Sequence, residues 1–123
     1  MSNIQESGEM YLESILVLKG NLGQVRAIDV VHYTGYSKPS ISRALSLLRM
    51  DGMVTVDDNG YIELTSEGRE RATKVYERHQ ILSDFFESIG VSASVADSDA
   101  CKVEHVISDE TFERIKEHLS KNK

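Results

Sequence analysis

Two runs of strand-forming residues, 53–56 and 61–64, flank an Asp-Asp-Asn-Gly turn at 57–60, in a sequence that otherwise has the apolar spacing of helices. An Asn-Gly pair between two such runs strongly favours a β-hairpin, because its residues readily adopt the left-handed backbone that tight hairpin turns need. The hairpin restricts the fold class to a mainly α protein with one small two-stranded element.

Two short predicted helices, joined through a glycine, directly precede the hairpin. The first covers residues 26–34 and ends at Gly35, and the second begins at Ser37 as N-cap, with Pro39 tolerated in its first turn. This order is that of a winged helix-turn-helix, although any corner between two helices has similar spacing. The apolar spacing predicts an inward face made of Ile28, Val31, Ile41, Leu45 and Leu48.

The charge distribution supports DNA binding by this segment. The net charge of −6 argues against non-specific nucleic-acid binding by the whole surface, so a DNA contact needs a local basic patch. Residues 37–50 carry Lys38, Arg43 and Arg49 and no acidic residue; the alternative is a merely solvated basic face. Because the N-terminal half of a recognition helix enters the major groove, we predict a DNA contact set. It consists of Ser37, Lys38, Pro39, Ser40, Ser42, Arg43 and, from the wing, Tyr61.

Further helices are predicted on either side of this module. Ser7 is the expected N-cap of a first helix over residues 7–19, and a long helix over 65–89 carries His79 on its apolar stripe. Residues 94–97 read as a capping box that opens the next helix. The last helix begins near residue 108, and its apolar stripe has no partner element in so small a chain, which predicts a homodimer. That stripe consists of Phe112, Ile115 and Leu119.

One group of residues has the chemistry of a metal site. Cys101, Glu104 and His105 have the spacing i, i+3 and i+4, which places a thiolate, a carboxylate and an imidazole on one helix face. Such a mixed donor set suits a first-row transition metal. The alternative is a small buried thiol beside a solvated Glu-His pair. Likewise, Met10 alone could fill the core, and His79 alone could be a satisfied core histidine.

The composition limits the cellular setting and the class of partner. A single cysteine excludes an internal disulfide framework and fits a reducing cytoplasm. The N-terminal residues lack the pattern of a signal peptide, and no apolar run approaches the length of a membrane span. We therefore expect a cytoplasmic protein without a membrane partner.

Several segments together resemble one protein family. Residues 9–12, 37–42, 51–52, 64–68, 78–79 and 100–110 resemble, in this order, the metal-dependent repressors of the diphtheria toxin repressor, iron-dependent regulator and manganese transport regulator family. The resemblance implies a winged helix-turn-helix DNA-binding domain at 1–65 and a helical metal-binding and dimerisation domain at 66–123. It implies a primary metal site of Met10, Cys101, Glu104 and His105, and a possible second site with Glu13 and His79.

Four positions bear on the choice of metal. Met10 and Cys101 follow the iron branch of the family, whereas Glu13 follows the manganese branch. Ser83 stands where the family usually has a carboxylate, and Asp97 where the iron branch has a histidine, so the second site is expected to be weakened or remodelled. Soft sulfur donors favour Fe(II) over Mn(II), while Co(II), Ni(II) and Zn(II) also fit. The end at residue 123 is read as a short two-domain form without the third domain of the iron branch.

These features predict a metal-activated regulator that represses metal-uptake genes. Metal is expected to bridge the first helix to the dimerisation domain, so that a homodimer binds double-stranded operator DNA; no small organic substrate is expected. One alternative is a winged-helix regulator without metal control, with Cys101 as a thiol sensor or a core residue. The other is a metalloenzyme with the same ligands. No general base or oxyanion donors stand beside the cluster in the sequence, so the prediction is that the chain is not an enzyme.

Overall fold

The computed structural model describes the backbone of residues 6–121 and the side chains of residues 8–121. Residues 1–5, where the sequence lacks a signal-peptide pattern, lie outside the described residues. The elements in chain order are α1 (Glu6–Leu22), α2 (Ala27–Thr34), α3 (Lys38–Met50), β1 (Val54–Val56), β2 (Ile62–Leu64), α4 (Ser66–Ser88), α5 (Ala93–Val103) and α6 (Asp109–Lys121). The predicted mainly α fold with one hairpin is confirmed. Within the described part of the chain, no helix is long and apolar enough to cross a membrane.

The chain forms two compact units, Met1–Thr73 and Lys74–Lys123, whose boundary falls inside α4. The first unit contains the three N-terminal helices and the hairpin, and the second contains the rest of α4 with α5 and α6. The predicted domains, 1–65 for DNA binding and 66–123 for metal binding and dimerisation, were defined by function and not by packing. This division stays a prediction.

The core of the first unit is mainly aliphatic, and each fully buried Val, Leu or Ile side chain contributes about 1.5–3 kcal/mol to folding. Ile41, Leu45 and Leu48 of α3 are buried as predicted. The prediction for α2 was wrong at Ile28, which is 38% exposed, whereas Val30 is buried. The two residues lie about 200° apart around the helix, so they cannot both face the core.

Local capping sets the turn between α2 and α3. Gly35 has a left-handed φ of 79°, and its backbone N–H donates to the carbonyl of Val31. The Ser37 hydroxyl accepts a hydrogen bond from the backbone N–H of Ser40 at 3.3 Å, and Pro39 lies in the first turn of α3. These caps confirm the predicted helix, glycine turn and helix.

The hairpin is antiparallel, with Val54 opposite Leu64 and Val56 opposite Ile62. Asp57 Oδ1 accepts backbone hydrogen bonds from Asn59 and Tyr61, both at 2.9 Å. This acidic tip therefore has a structural role within the turn.

Three predicted helix details need correction. α1 already includes Ser7, so this residue is not the N-cap. α5 begins at Ala93 after Ser92, so Ser94 lies inside the helix and does not open it with a capping box. The face of α6 is not without a partner, because Phe112 is buried with Leu82 of α4 and other residues of the second unit. The small three-helix core of this unit supplies the partner that the sequence spacing could not show.

Candidate metal centre and DNA-binding face

His79, Cys101 and Glu104 place one ligand atom each within 4.8 Å of one another in the second unit. His79 comes from α4, Cys101 lies in the last turn of α5, and Glu104 is the C-cap of that helix. The Glu104 backbone N–H bonds to the Ala100 carbonyl at 2.9 Å, so the helical turn continues as far as Glu104. The predicted spacing therefore does place the thiol and the carboxylate near each other.

Glu104 is the centre of this cluster and is only 1% exposed. Its Oε2 lies 3.2 Å from Nδ1 of His79, and its Oε1 lies 3.4 Å from Nε2 of His105. Within the described part of the chain, neither carboxylate oxygen has a partner at hydrogen-bonding geometry. A buried carboxylate without such bonds is costly, so the arrangement fits a bound cation. The alternative of a solvated Glu-His pair is wrong at Glu104.

Cys101 lies on the exposed side of α5, whereas the preceding Ala100 is fully buried. Ala100 belongs to the buried cluster of Leu82 and Phe112, and the next residue is turned about 100° away from this cluster. The alternatives in which Cys101 is a buried thiol or a core residue are therefore wrong. An accessible thiol beside a carboxylate and an imidazole fits a divalent first-row metal.

His79 also contacts a second carboxylate on the other edge of its ring. Its Nε2 lies 2.8 Å from Oδ1 of Asp97, a residue of α5. Asp97 therefore faces His79 instead of capping the start of α5 as predicted. The structure also places His79 with Cys101 and Glu104, so its assignment to a separate second site stays a prediction.

Arg78 supports the turn that carries Glu104 and His105. Its Nη1 donates to the backbone carbonyls of Glu104 at 3.3 Å and Ile107 at 3.0 Å, and its Nη2 pairs with Asp109. Hydrogen bonds from a charged donor are roughly twice as strong as neutral ones, so Arg78 holds the chain between α5 and α6 in place. The sequence reasoning missed this role, although Arg78 precedes His79 directly.

The remaining predicted metal ligands lie on α1 in the first unit. Met10 is half-buried and packs against the hydrophobic core of that unit. Glu13 is half-buried on the same helix. Ser83 is half-buried on α4, one turn after His79. The roles of Met10 and Glu13 as ligands stay predictions.

The N-terminal half of α3 presents the predicted DNA-binding residues. Ser40 is half-buried, its hydroxyl accepts from Ser37 Oγ at 3.0 Å, and Nη2 of Arg43 lies 3.4 Å from it. The exposed members of the set are Ser37, Lys38, Pro39, Ser42 and Arg43. On the hairpin, the guanidinium of Arg26 lies 4.5 Å from the centre of the Tyr61 ring. A cation stacked on this half-buried tyrosine adds positive charge at the wing, which the sequence did not reveal.

Exposed tyrosines next to α3 were also missed. Tyr33 is exposed at the end of α2, and the exposed Tyr36 contacts Tyr11 edge-on at 6.0 Å between ring centres. Burial raises the pKa of the Tyr11 phenol, Tyr36 raises it further and Arg43 lowers it.

Comparison with known proteins identifies relatives along the chain. Residues 65–123 match the family model described as iron dependent repressor, metal binding and dimerisation domain. The chain is 34% identical over 103 residues to the transcriptional regulator MntR of Escherichia coli O6:H1, covering 84% of this chain and 66% of that protein. It is 30% identical over 122 residues to an uncharacterized HTH-type transcriptional regulator of Methanocaldococcus jannaschii, covering 98% of each. The chain thus spans about two thirds of the length of the E. coli protein.

A solved structure supports the same relationship. A manganese-dependent transcriptional repressor in complex with manganese superposes with a TM-score of 0.83 at 26% identity, covering 92% of this chain and 52% of that one. These relatives are regulators of transcription and not enzymes. The chain belongs to the family of metal-dependent repressors that includes the diphtheria toxin repressor, the iron-dependent repressors and MntR.

Proposed function

We propose that this protein represses transcription by binding operator DNA when a divalent metal occupies the centre around Glu104. The observation that carries the proposal is the buried Glu104 carboxylate, which has no hydrogen-bonding partner among the described residues, beside a thiol and an imidazole within 4.8 Å. Family membership supports the link from metal to DNA. In this proposal Cys101, Glu104 and His105 hold the metal, and His79 and Glu13 take part in a second or shared site.

The proposed activation depends on one further ligand, Met10 of α1. Bound metal would supply a link between α1 and the second unit, which favours one arrangement of the two. In a dimer, that arrangement would set the two α3 helices about 34 Å apart, one turn of DNA. Because linkage is reciprocal, DNA would then also raise the affinity for metal.

The donor types favour Fe(II) as the metal. Cys101 and Met10 offer a thiolate and a thioether, which are softer than the carboxylates that suit Mn(II). Manganese is named in a solved relative and is the second candidate. Co(II), Ni(II) and Zn(II) accept the same donors and serve as probes. A thiolate ligand requires that Cys101 stay reduced, and thiols stay reduced in the cytoplasm. We therefore propose that the protein is cytoplasmic.

The proposed homodimer would use apolar side chains that the second unit exposes. These are Tyr76, Ile89, Val95 and Val106. Burying such apolar groups against a second copy would favour association, and the matched family model is described as a dimerisation domain. Sedimentation of the protein at micromolar concentration, with and without metal, tests this assembly.

If α3 contacts operator DNA as proposed, two substitutions in this helix should have different effects on DNA binding. Arg43→Ala should lower specific affinity by about 1–3 kcal/mol and relax the preference at one base pair, because arginine pairs with a guanine edge. Lys38→Ala should weaken all sequences alike and reduce the salt dependence, because lysine contacts phosphate. Mobility shifts with operator variants at several salt concentrations separate the effects. Unchanged affinity and preference in Arg43→Ala would place the recognition surface elsewhere.

The test of metal activation is a metal titration followed by DNA mobility shift, with Met10→Leu as the variant. Leucine keeps the volume that packs on the first-unit core, with a typical cost below about 1.5 kcal/mol, but removes the sulfur ligand. We expect metal still to bind the donors of the second unit while activating DNA binding only weakly. Met10→Asp should restore activation and favour Mn(II), because a carboxylate is a harder ligand.

Two outcomes would contradict the proposal. Normal activation of Met10→Leu would show that metal does not act through α1. DNA binding by the unaltered protein that is the same with metal and with a chelator would favour a winged-helix regulator without metal control.

A further inference from the structure

The two nitrogens of the His79 ring face different carboxylates. Nε2 lies 2.8 Å from Oδ1 of Asp97, at ordinary hydrogen-bonding distance. Nδ1 is shielded from solvent and lies 3.2 Å from Oε2 of Glu104. The ring therefore directs Nε2 away from the donor cluster and Nδ1 towards it.

We infer that Asp97 is a positioning residue for the metal centre. By accepting the Nε2–H of His79, its carboxylate holds the tautomer in which Nδ1 has the lone pair and binds the metal. The hydrogen bond at one imidazole nitrogen decides which nitrogen remains to bind the metal. A carboxylate partner also makes that nitrogen a stronger electron-pair donor to the metal. The inference rests on the proposed metal centre in its shared form, in which His79 binds the same metal as Cys101 and Glu104, and it adds a residue outside that ligand set.

The position of Asp97 on α5 fits this role. Asp97 and Cys101 are four residues apart, so they lie on the same face of the helix. One face thus offers a thiol at the centre and, one turn earlier, a carboxylate that orients the imidazole from α4. The Asp97 side chain is 68% exposed, whereas Glu104 is buried. Asp97 therefore lies at the outer edge of the ring, on the side of Nε2, and not among the ligand atoms.

The experiment compares the unaltered protein with Asp97→Asn and with the control Asp99→Asn. Asp99 is exposed on the same helix but points in a different direction, two residues further on. Nitrogen-15 NMR of the metal-free proteins, under conditions that keep the imidazoles neutral, reports the His79 tautomer. Competition titration with Co(II) reports affinity, and the cobalt–thiolate absorption band reports whether Cys101 binds.

We expect the unaltered protein to have His79 protonated at Nε2, and Asp97→Asn to contain a mixture of tautomers. The affinity of Asp97→Asn for Co(II) should fall roughly 10–100-fold, the usual effect of removing a partner of a metal-bound histidine, while the thiolate band persists at saturation. Asp99→Asn should change neither property by more than about twofold, as expected for an exposed site.

Several results would overturn the inference. An unchanged tautomer or an unchanged Co(II) affinity in Asp97→Asn would each do so. An equal loss in Asp99→Asn would show a general charge effect, and loss of the thiolate band in Asp97→Asn would show that Asp97 does more than orient His79. Failure of the unaltered protein to bind Co(II) would instead refute the proposed metal centre itself.

Discussion

Glu104→Gln is expected to abolish metal-activated DNA binding and to lower the affinity for Co(II) by about 100-fold or more. The binding free energy of structural Zn(II) in zinc-finger peptides is about 10–16 kcal/mol; on that scale one of four ligands accounts for roughly 3 kcal/mol, or 100-fold in affinity. The amide has nearly the shape of the carboxylate but carries no charge. It therefore fills the same buried space without attracting the cation.

The fold should survive this change, because the carboxylate is buried without ordinary hydrogen bonds among the described residues and a neutral amide costs less to bury. Circular dichroism and thermal unfolding of the metal-free protein test this point, and cobalt titration with DNA mobility shift tests function. Glu110→Gln, an exposed change on α6, is the matched control and should behave like the unaltered protein. Full activation of Glu104→Gln by metal would exclude Glu104 as a ligand.

Local signals in the sequence were sufficient to predict the winged helix-turn-helix. Gly35 ends α2 through its left-handed backbone, and Ser37 begins α3 through its hydroxyl cap. Each affects only residues within one helical turn. The hairpin turn at 57–60 is set in the same local way, by the hydrogen bond from the Gly60 backbone N–H to the Asp57 carbonyl and by the left-handed φ of 85° at Gly60. Features of this kind depend on neighbouring residues alone, and they were predicted correctly.

The start of α5 and the face that it buries were less predictable, because packing between helices decides both. Ser92 and Ser94 are both chemically suitable N-caps two residues apart, and the choice follows the burial of Ala96 and Ala100. The exposure of Cys101 follows from the same contact. Sequence spacing placed these residues on α5 but could not select the face that packs on the core.

The surroundings of the candidate metal centre were the least predictable part of the structure. A lone glutamate is expected at the surface, so the burial of Glu104 could not be read from its neighbours. It depends on a separate helix, α4, which brings His79 to the carboxylate and Arg78 to the turn behind it. The contact between Asp97 and His79 also joins separate helices. The sequence indicated the types of candidate ligand, whereas the tertiary contacts show how these side chains are held.

Gly68→Ala is expected to destabilise the protein by about 2–3 kcal/mol, at the upper end for overpacking of a core. A Cβ on Gly68 would lie 1.9 Å from the carbonyl oxygen of Met53 and 2.9 Å from its carbonyl carbon. These are backbone atoms at the start of the hairpin, and Met53 itself is buried. The same carbonyl accepts the backbone N–H of Thr65 at 3.0 Å, so moving it would weaken the junction between wing and α4.

Gly20→Ala is the matched control for this effect, because Gly20 lies in α1 with an ordinary helical backbone and no atom within 4 Å of an added Cβ. Alanine there should stabilise the protein by about 0.5–1 kcal/mol through its higher helix propensity. Denaturant unfolding followed by circular dichroism measures both variants. Because the wing and α3 belong to the same unit, Gly68→Ala should also weaken DNA binding at saturating metal, whereas Gly20→Ala should not. Equal stability of the two variants would show that α4 does not approach the Met53 backbone this closely.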